Sequence, residues 1–233
     1  MEPRALNQAE AMRYVERFPA DHICRLLRPY LTDERAVRID RVLARRLLCL
    51  TVVVENLHDP HNGAAALRSV EAVGLQSFHA VQANEPFSAA RGISLQCEQW
   101  MDMYLHDTTE GCYAALRAQG YQVWAAVPGG DVSLEELPSA GSVALVFGNE
   151  RDGLTDGAQQ DADGTFGIDM HGFTGNFNLS VSVAVAAYVQ AARMRQALGA
   201  SGDLPAARVE RLRALWYCLS VRAARLIIDR ELR

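Results

Sequence analysis

The stretch Leu50-Thr51-Val52-Val53-Val54 has no polar face. Side chains of a strand alternate between two sides, so a run that is apolar or β-branched throughout needs both sides covered. That requirement points to a strand inside a parallel sheet with helices on both faces. The pattern recurs: residues 77–81, 121–127, 143–147 and 166–170 read as further strands, while residues 63–73, 111–118 and 179–192 read as helices. Strand and helix in repeated alternation predict an α/β fold with a mostly parallel sheet. Residues 84–110 are weakly patterned, and no internal repeat is visible.

The ends differ from the middle. Residues 1–48 hold 10 Arg against 7 acids, residues 49–192 hold 4 against 17, and residues 193–233 hold 9 against 4; there is no lysine. Basic ends around an acidic centre fit contact with nucleic acid, and equally fit helices whose solvent faces are charged. Arginine forks suit phosphates because they bind them bidentately. Residues 1–30 are helix-compatible, interrupted by Pro19 and Pro29. A helix starts at Thr32-Asp33-Glu34 and buries Ala36, Ile39, Leu43 and Leu47. Residues 199–205 are a linker, and residues 206–230 form a last amphipathic helix carrying Val209, Leu212, Leu215, Trp216, Leu219 and Leu226. The expected organisation is a basic helical extension (1–48), a central domain (49–195), and a linker with a C-terminal helix (196–233).

Several classes are disfavoured. No apolar run has the length of a membrane span, and the first residues begin no signal peptide. The five cysteines are scattered and form no CxxC pair, which argues against a disulfide framework or zinc ribbon and for a reducing cytoplasm. His58, His61 and His171 supply no ligand set, so no metal is expected. Trp100, Trp124 and Trp216 suit either base stacking or core packing.

The candidate site lies in three loops. The first follows the opening strand and brings His61, Asn62 and Arg68; the second brings Asn149-Glu150-Arg151; the third brings Asn176, Asn178 and Ser180. In open α/β sheets ligands gather beyond the carboxyl ends of strands. Neither GxxxxGK[ST] nor GxGxxG is present, so no P-loop or dinucleotide fingerprint is at work. Asn62 and Arg68, near a helix N-terminus, fit an anion site, or else an ordinary cap and a surface charge.

Three segments carry a resemblance. Glu55-Asn56-Leu57-His58-Asp59-Pro60-His61-Asn62 through Leu67-Arg68, Phe147-Gly148-Asn149-Glu150-Arg151-Asp152-Gly153-Leu154, and Ile168-Asp169-Met170 through Asn178-Leu179-Ser180 resemble, in order, the three motifs of the SpoU/TrmH ribose 2′-O-methyltransferases of the SPOUT superfamily. The similarity spans roughly residues 35–195 and is greatest to the TrmH branch, which methylates a tRNA D-loop guanosine. It implies a C-terminal trefoil knot, a homodimer, and S-adenosylmethionine bound around Ala126, Gly148, Asn149, Ile168, Met170 and Phe177. It further implies that Arg68 is the catalytic arginine, supported by Asn62, with Glu150 and Asn178 beside the methyl donor. Either Arg68 or a substrate phosphate then takes the hydroxyl proton. Two positions depart from the family: Asn176 stands where serine is common, and Asp169 replaces the proline of Ile-Pro-Met. The resemblance also leaves room for a ribosomal RNA target, or for a knotted RNA-binding protein that has lost catalysis.

Overall fold

The computed structural model describes residues 5–82 and 96–231, which form two compact units, residues 47–201 and the two ends of the chain together. The central unit is built on a seven-stranded sheet: β1 (Leu50–Glu55), β2 (Ser77–Val81), β3 (Asp102–His106), β4 (Tyr121–Ala126), β5 (Val132–Ser133), β6 (Ser142–Phe147) and β7 (Gly164–Gly167). Their order is β3-β2-β1-β6-β4-β7-β5, and each pairing is parallel. The apolar run of β1 lies at the centre, Val52 between Phe78 of β2 and Leu145 of β6, and all six of its residues are buried.

Helices cover both faces. On one, Val52, Val54, Phe78, Leu145 and Phe147 pack with Ala66, Leu67 and Val70 of α4 (Pro60–Val73) and with Val183, Ala186 and Ala187 of α7 (Leu179–Leu198). On the other, Val53, Val81, Val123, Ala144 and Val146 meet Cys112, Tyr113 and Leu116 of α5 (Thr109–Ala118) and Ala158 of the short α6 (Asp156–Gln160). α4 ends where the sequence says it should, at Gly74 with φ 93°. α7 continues past Ala192 to Leu198 and buries only one side; Val181 and Tyr188 stay 42% and 69% exposed.

The terminal unit contains α1 (Gln8–Arg17), α2 (Ala20–Leu27), a 3-10 turn at Arg28–Tyr30, α3 (Asp33–Leu43), α8 (Ala206–Ser220) and α9 (Ala224–Glu231). α8 packs against α1, α2 and α3. Leu27, Ile39, Leu43, Leu212 and Leu215 are among its buried residues. Arg46 is fully buried with its guanidinium 5.4 Å from the Trp216 ring, so that tryptophan serves the core. Many terminal arginines are paired within the unit, Arg213 to Asp40 at 2.7 Å and Arg25 to Asp21 at 2.8 Å among them.

Two expectations need correction. The final helix is broken at Val221 (φ −99°, ψ 111°), a corner that turns Ile227 and Ile228 into the core and leaves Leu226 61% exposed. The strand expected at 166–170 is shifted to Gly164–Gly167, because beyond Gly167 the chain leaves the sheet. β3, β5 and α6 are additions that the sequence pattern does not announce. Within the weakly patterned stretch, residues 83–95 lie outside the described residues.

Leu67 is fully buried between the sheet and α7. Leu67→Ala should lower stability by roughly 2–5 kcal/mol, the cost of a core cavity. A shift in the urea midpoint of the full chain measures it.

Candidate active site

The sheet's carboxyl edge gathers four loops. β1, β6, β4 and β7 are consecutive neighbours, so the chain leaves each of them at the same end. The loops after β4, β6 and β7 enclose a cavity of about 1000 Å³, at the upper end of the small-molecule range. All six positions proposed for the cofactor line it: Ala126, Gly148, Asn149, Ile168, Met170 and Phe177.

Two glycines let backbones meet there. A Cβ on Gly148 would sit 2.0 Å from the Gly153 carbonyl carbon and 2.1 Å from the Leu154 nitrogen. One on Gly130 would lie 2.4 Å from the Phe166 carbonyl carbon. No side chain fits either place. The second loop is closed on itself: Asn149 and Gly153 exchange backbone hydrogen bonds at 3.1 and 3.2 Å, and Asn149 Oδ1 accepts from the N–H groups of Arg151 and Asp152.

The polar residues form a directed chain. Asn178 caps α7: its Oδ1 accepts from the Ser180 N–H (2.9 Å) and hydroxyl (2.7 Å). Its Nδ2 donates to Asn62 Oδ1 at 3.0 Å, and Asn62 Nδ2 donates to Glu150 Oε1 at 2.7 Å. Both amides are thereby oriented, and the last bond is charge-assisted. Glu150 Oε2 is buried and has no hydrogen-bond partner among the described residues, leaving an acceptor in a residue that lines the cavity. Asn62 does not cap α4. Asp59 does so, accepting from the His61 N–H at 2.8 Å; that bond first, then the His61 ring, hold the Asp59 carboxyl below its ordinary range.

Arg68 sits two turns into α4, exposed, outside the residues lining the cavity, and without a hydrogen bond or ion pair among the described residues. The structure thus joins Asn62, Glu150 and Asn178 directly and leaves Arg68 apart from them. Asn176 and Asp169 are both exposed and line the cavity.

Glu55 is a residue of the site region that the motif reading does not assign a role. It ends β1, is 1% exposed, and accepts from Thr155 N–H (2.9 Å), Thr155 Oγ1 (2.9 Å) and Thr109 Oγ1 (2.5 Å). Thr155 Oγ1 also accepts from Ala158 N–H, capping α6. One carboxylate therefore ties the end of the second loop and the start of α5 to the central strand. The available signal is a carboxylate closing an apolar strand, with threonines opening two helices. Glu55→Gln replaces one acceptor oxygen by a donor that faces donors. It should destabilise the fold by about 1–3 kcal/mol, the penalty for an unmatched buried polar group, read by chemical denaturation.

Residues 49–188 match the SpoU rRNA Methylase family. The chain is 33% identical over 169 residues to the tRNA (guanosine(18)-2′-O)-methyltransferase of Thermus thermophilus, covering 72% of this chain and 87% of that one. Its fold resembles the crystal structure of the Aquifex aeolicus TrmH/SpoU tRNA modifying enzyme, with TM-score 0.71 and 24% identity over 79% of this chain and 95% of that one. It also resembles the SpoU methyltransferase AviRb from Streptomyces viridochromogenes, solved in complex with AdoMet, with TM-score 0.54 and 19% identity over 69% and 62% of the two chains. The matched span runs from the strand before Glu55 to the middle of α7 and so takes in all three loops and the polar chain that joins them: the protein belongs to the SpoU methylase family.

Proposed function

We propose that this protein transfers a methyl group from S-adenosylmethionine to a ribose 2′-hydroxyl of RNA, with a tRNA D-loop guanosine as its target. The observation that carries the reading is the train Asn178–Asn62–Glu150, held beside a cavity whose walls include glycine backbone. The relative's name supplies the substrate, since 2′-O-methylation of a tRNA guanosine is what that protein is named for.

The site suits the cofactor in size, and its close backbone approach at Gly148 leaves main-chain groups to grip an adenine. Ala126, Gly148, Asn149, Ile168, Met170 and Phe177 are the residues that would hold it. When bound, S-adenosylmethionine supplies a methyl on a sulfonium. What the chain must add is alignment of the ribose oxygen and a route for its proton. Asn178 and Glu150, fixed through Asn62, present polar groups at the cavity wall. Arg68 positions the hydroxyl and an adjoining phosphate. A guanidinium keeps its proton, so the phosphate is the acceptor in this reading.

The assembly proposed is a homodimer. The exposed Val181 and Tyr188 of α7 and the fully exposed Phe173 support it, since an unpartnered apolar face calls for a cover. Arg68, outside the lining of its own chain's cavity, suits service at a cavity completed by two copies. The trefoil knot belongs to the same reading; its support is the interleaved order β1-β6-β4-β7 and the backbone contacts at Gly148 and Gly130. A cytoplasmic setting accords with five cysteines that form no disulfide among the described residues.

Arg68→Ala should reduce tritiated methyl transfer to bulk tRNA by roughly 100-fold or more, the scale of losing a transition-state donor, while calorimetry finds cofactor binding intact. Undiminished transfer would refute the assigned role. Mapping 2′-O-methyl sites in a deletion strain separates a tRNA target from a ribosomal one.

Arg38 and Arg41 of α3 are exposed and have no ion pair among the described residues. If the terminal unit grips RNA, Arg38→Glu with Arg41→Glu should weaken tRNA binding and reduce the salt slope by about 1 for each phosphate no longer gripped. Filter binding across a salt series reads both; unchanged slopes would assign these arginines to solvent.

A further inference from the structure

Away from the candidate active site, on the α5 face of the sheet, three ligand-type side chains converge. His79 of β2 and His106 of β3 bring Nδ1 and Nε2 to 3.0 Å of each other, and with Cys112 Sγ of α5 these atoms all lie within 4.8 Å. His79 and Cys112 are buried, while His106 is partly exposed. The Tyr104 ring stacks on His79 at 4.6 Å and fixes its plane. We propose that His79, His106 and Cys112 bind a divalent ion of the zinc class, with water at the fourth position beside His106.

The geometry suits that ion. Zinc takes imidazole nitrogens at about 2.0–2.1 Å and thiolate at about 2.3 Å, so two nitrogens on one tetrahedral ion lie roughly 3.3 Å apart. The imidazole pair is already near that spacing; the widest of the three separations must close by about 1 Å, and Cys112 has a single side-chain torsion with which to do it. Two imidazoles and one thiolate form the borderline-soft set that zinc favours over magnesium or calcium.

A second observation concerns charge. Glu55 is buried, and the groups that bond to it, the N–H and hydroxyl of Thr155 and the hydroxyl of Thr109, are all neutral. Buried carboxylates are ordinarily matched by a cation. Glu55 accepts from Thr109, three residues before Cys112 in α5, which brings its charge to the same end of that helix. A divalent ion on one thiolate carries a net single positive charge, which Glu55 balances. The proton count closes simply. Each neutral ring already has one bare nitrogen, tautomer shifts turn both bare nitrogens inward, and binding releases only the Cys112 thiol proton to solvent.

The test uses the full chain, treated with chelator and then freed of it. Calorimetric titration with zinc chloride should show one ion per chain, and cobalt(II) should give a thiolate-to-metal charge-transfer band. Cys112→Ser should abolish the band. His106→Gln, at a partly exposed position that folding tolerates more readily, should weaken zinc binding by roughly 100-fold or more, since loss of an outer-shell partner alone costs about 10–100-fold. Zinc should raise the melting temperature of the parent protein and of neither variant. Absence of saturable zinc binding would overturn the proposal and leave a neutral imidazole pair joined by a hydrogen bond. So would a cobalt band that survives Cys112→Ser, or zinc affinity unchanged in His106→Gln.

Discussion

A parallel sheet hands its chain over at one edge, and the candidate active site depends on that constraint. Because β1, β6, β4 and β7 run the same way side by side, the segments that follow them emerge together. Asn62 therefore reaches Glu150, 88 residues on, and Asn178, 116 residues on, through direct hydrogen bonds. Closing such long loops costs entropy that grows only slowly with length. The burial of Val52, Leu145 and Phe147 on one face and of Val53, Val146 and Tyr113 on the other offsets it. The site's polar bonds are too few to hold the strands; the strands hold them.

The two faces of the sheet differ in kind. The α4 and α7 side is a continuous apolar layer. The α5 side carries polar groups inside it: Glu55 under two threonines, and the imidazoles beside Cys112. A buried carboxylate costs several kcal/mol to desolvate unless its lone pairs are satisfied. Here hydrogen bonds from neutral donors meet part of that cost and also fix where the second loop ends and α5 begins. The same Thr155 caps α6, so the loop that carries Glu150 is anchored just beyond its last turn. Rigidity at Glu150 thus originates on the far face of the sheet from α7.

The elements legible in the sequence are those whose pattern has a single physical reading. The apolar run of β1 allows nothing but a covered central strand, and Gly74 stops α4 because that place needs a left-handed residue. β3 is not legible: its Tyr104 and Leu105 are largely exposed on an edge, so no alternation marks them. The corner at Val221 carries no proline or glycine to announce it. Nor can periodicity foretell that both ends of the chain share one unit. In the site, Asn62 reads equally well as a helix cap; only the fold shows that Asp59 takes that duty and frees Asn62 for Glu150. His79, His106 and Cys112 lie on two strands and a helix, at spacings that match no ligand motif, and register alone brings them together.

The two departures from the family's motifs bear on whether the site still works, and their placement argues that it does. Had Asp169 or Asn176 replaced a residue inside the polar chain, Asn62 and Asn178 would have had to find other partners. Instead both stand on the third loop, with no hydrogen bond among the described residues, while the bonds from Ser180 to Glu150 remain complete. A change at such positions alters what the cavity shows to an incoming ligand and leaves its framework alone. Asp169 adds a negative charge to a cavity lining that already holds Asp131, Glu150 and Asp152 against Arg151. That arrangement favours the cationic sulfonium and amine of the proposed cofactor and disfavours stray anions. The exposed Arg68 stands outside that lining.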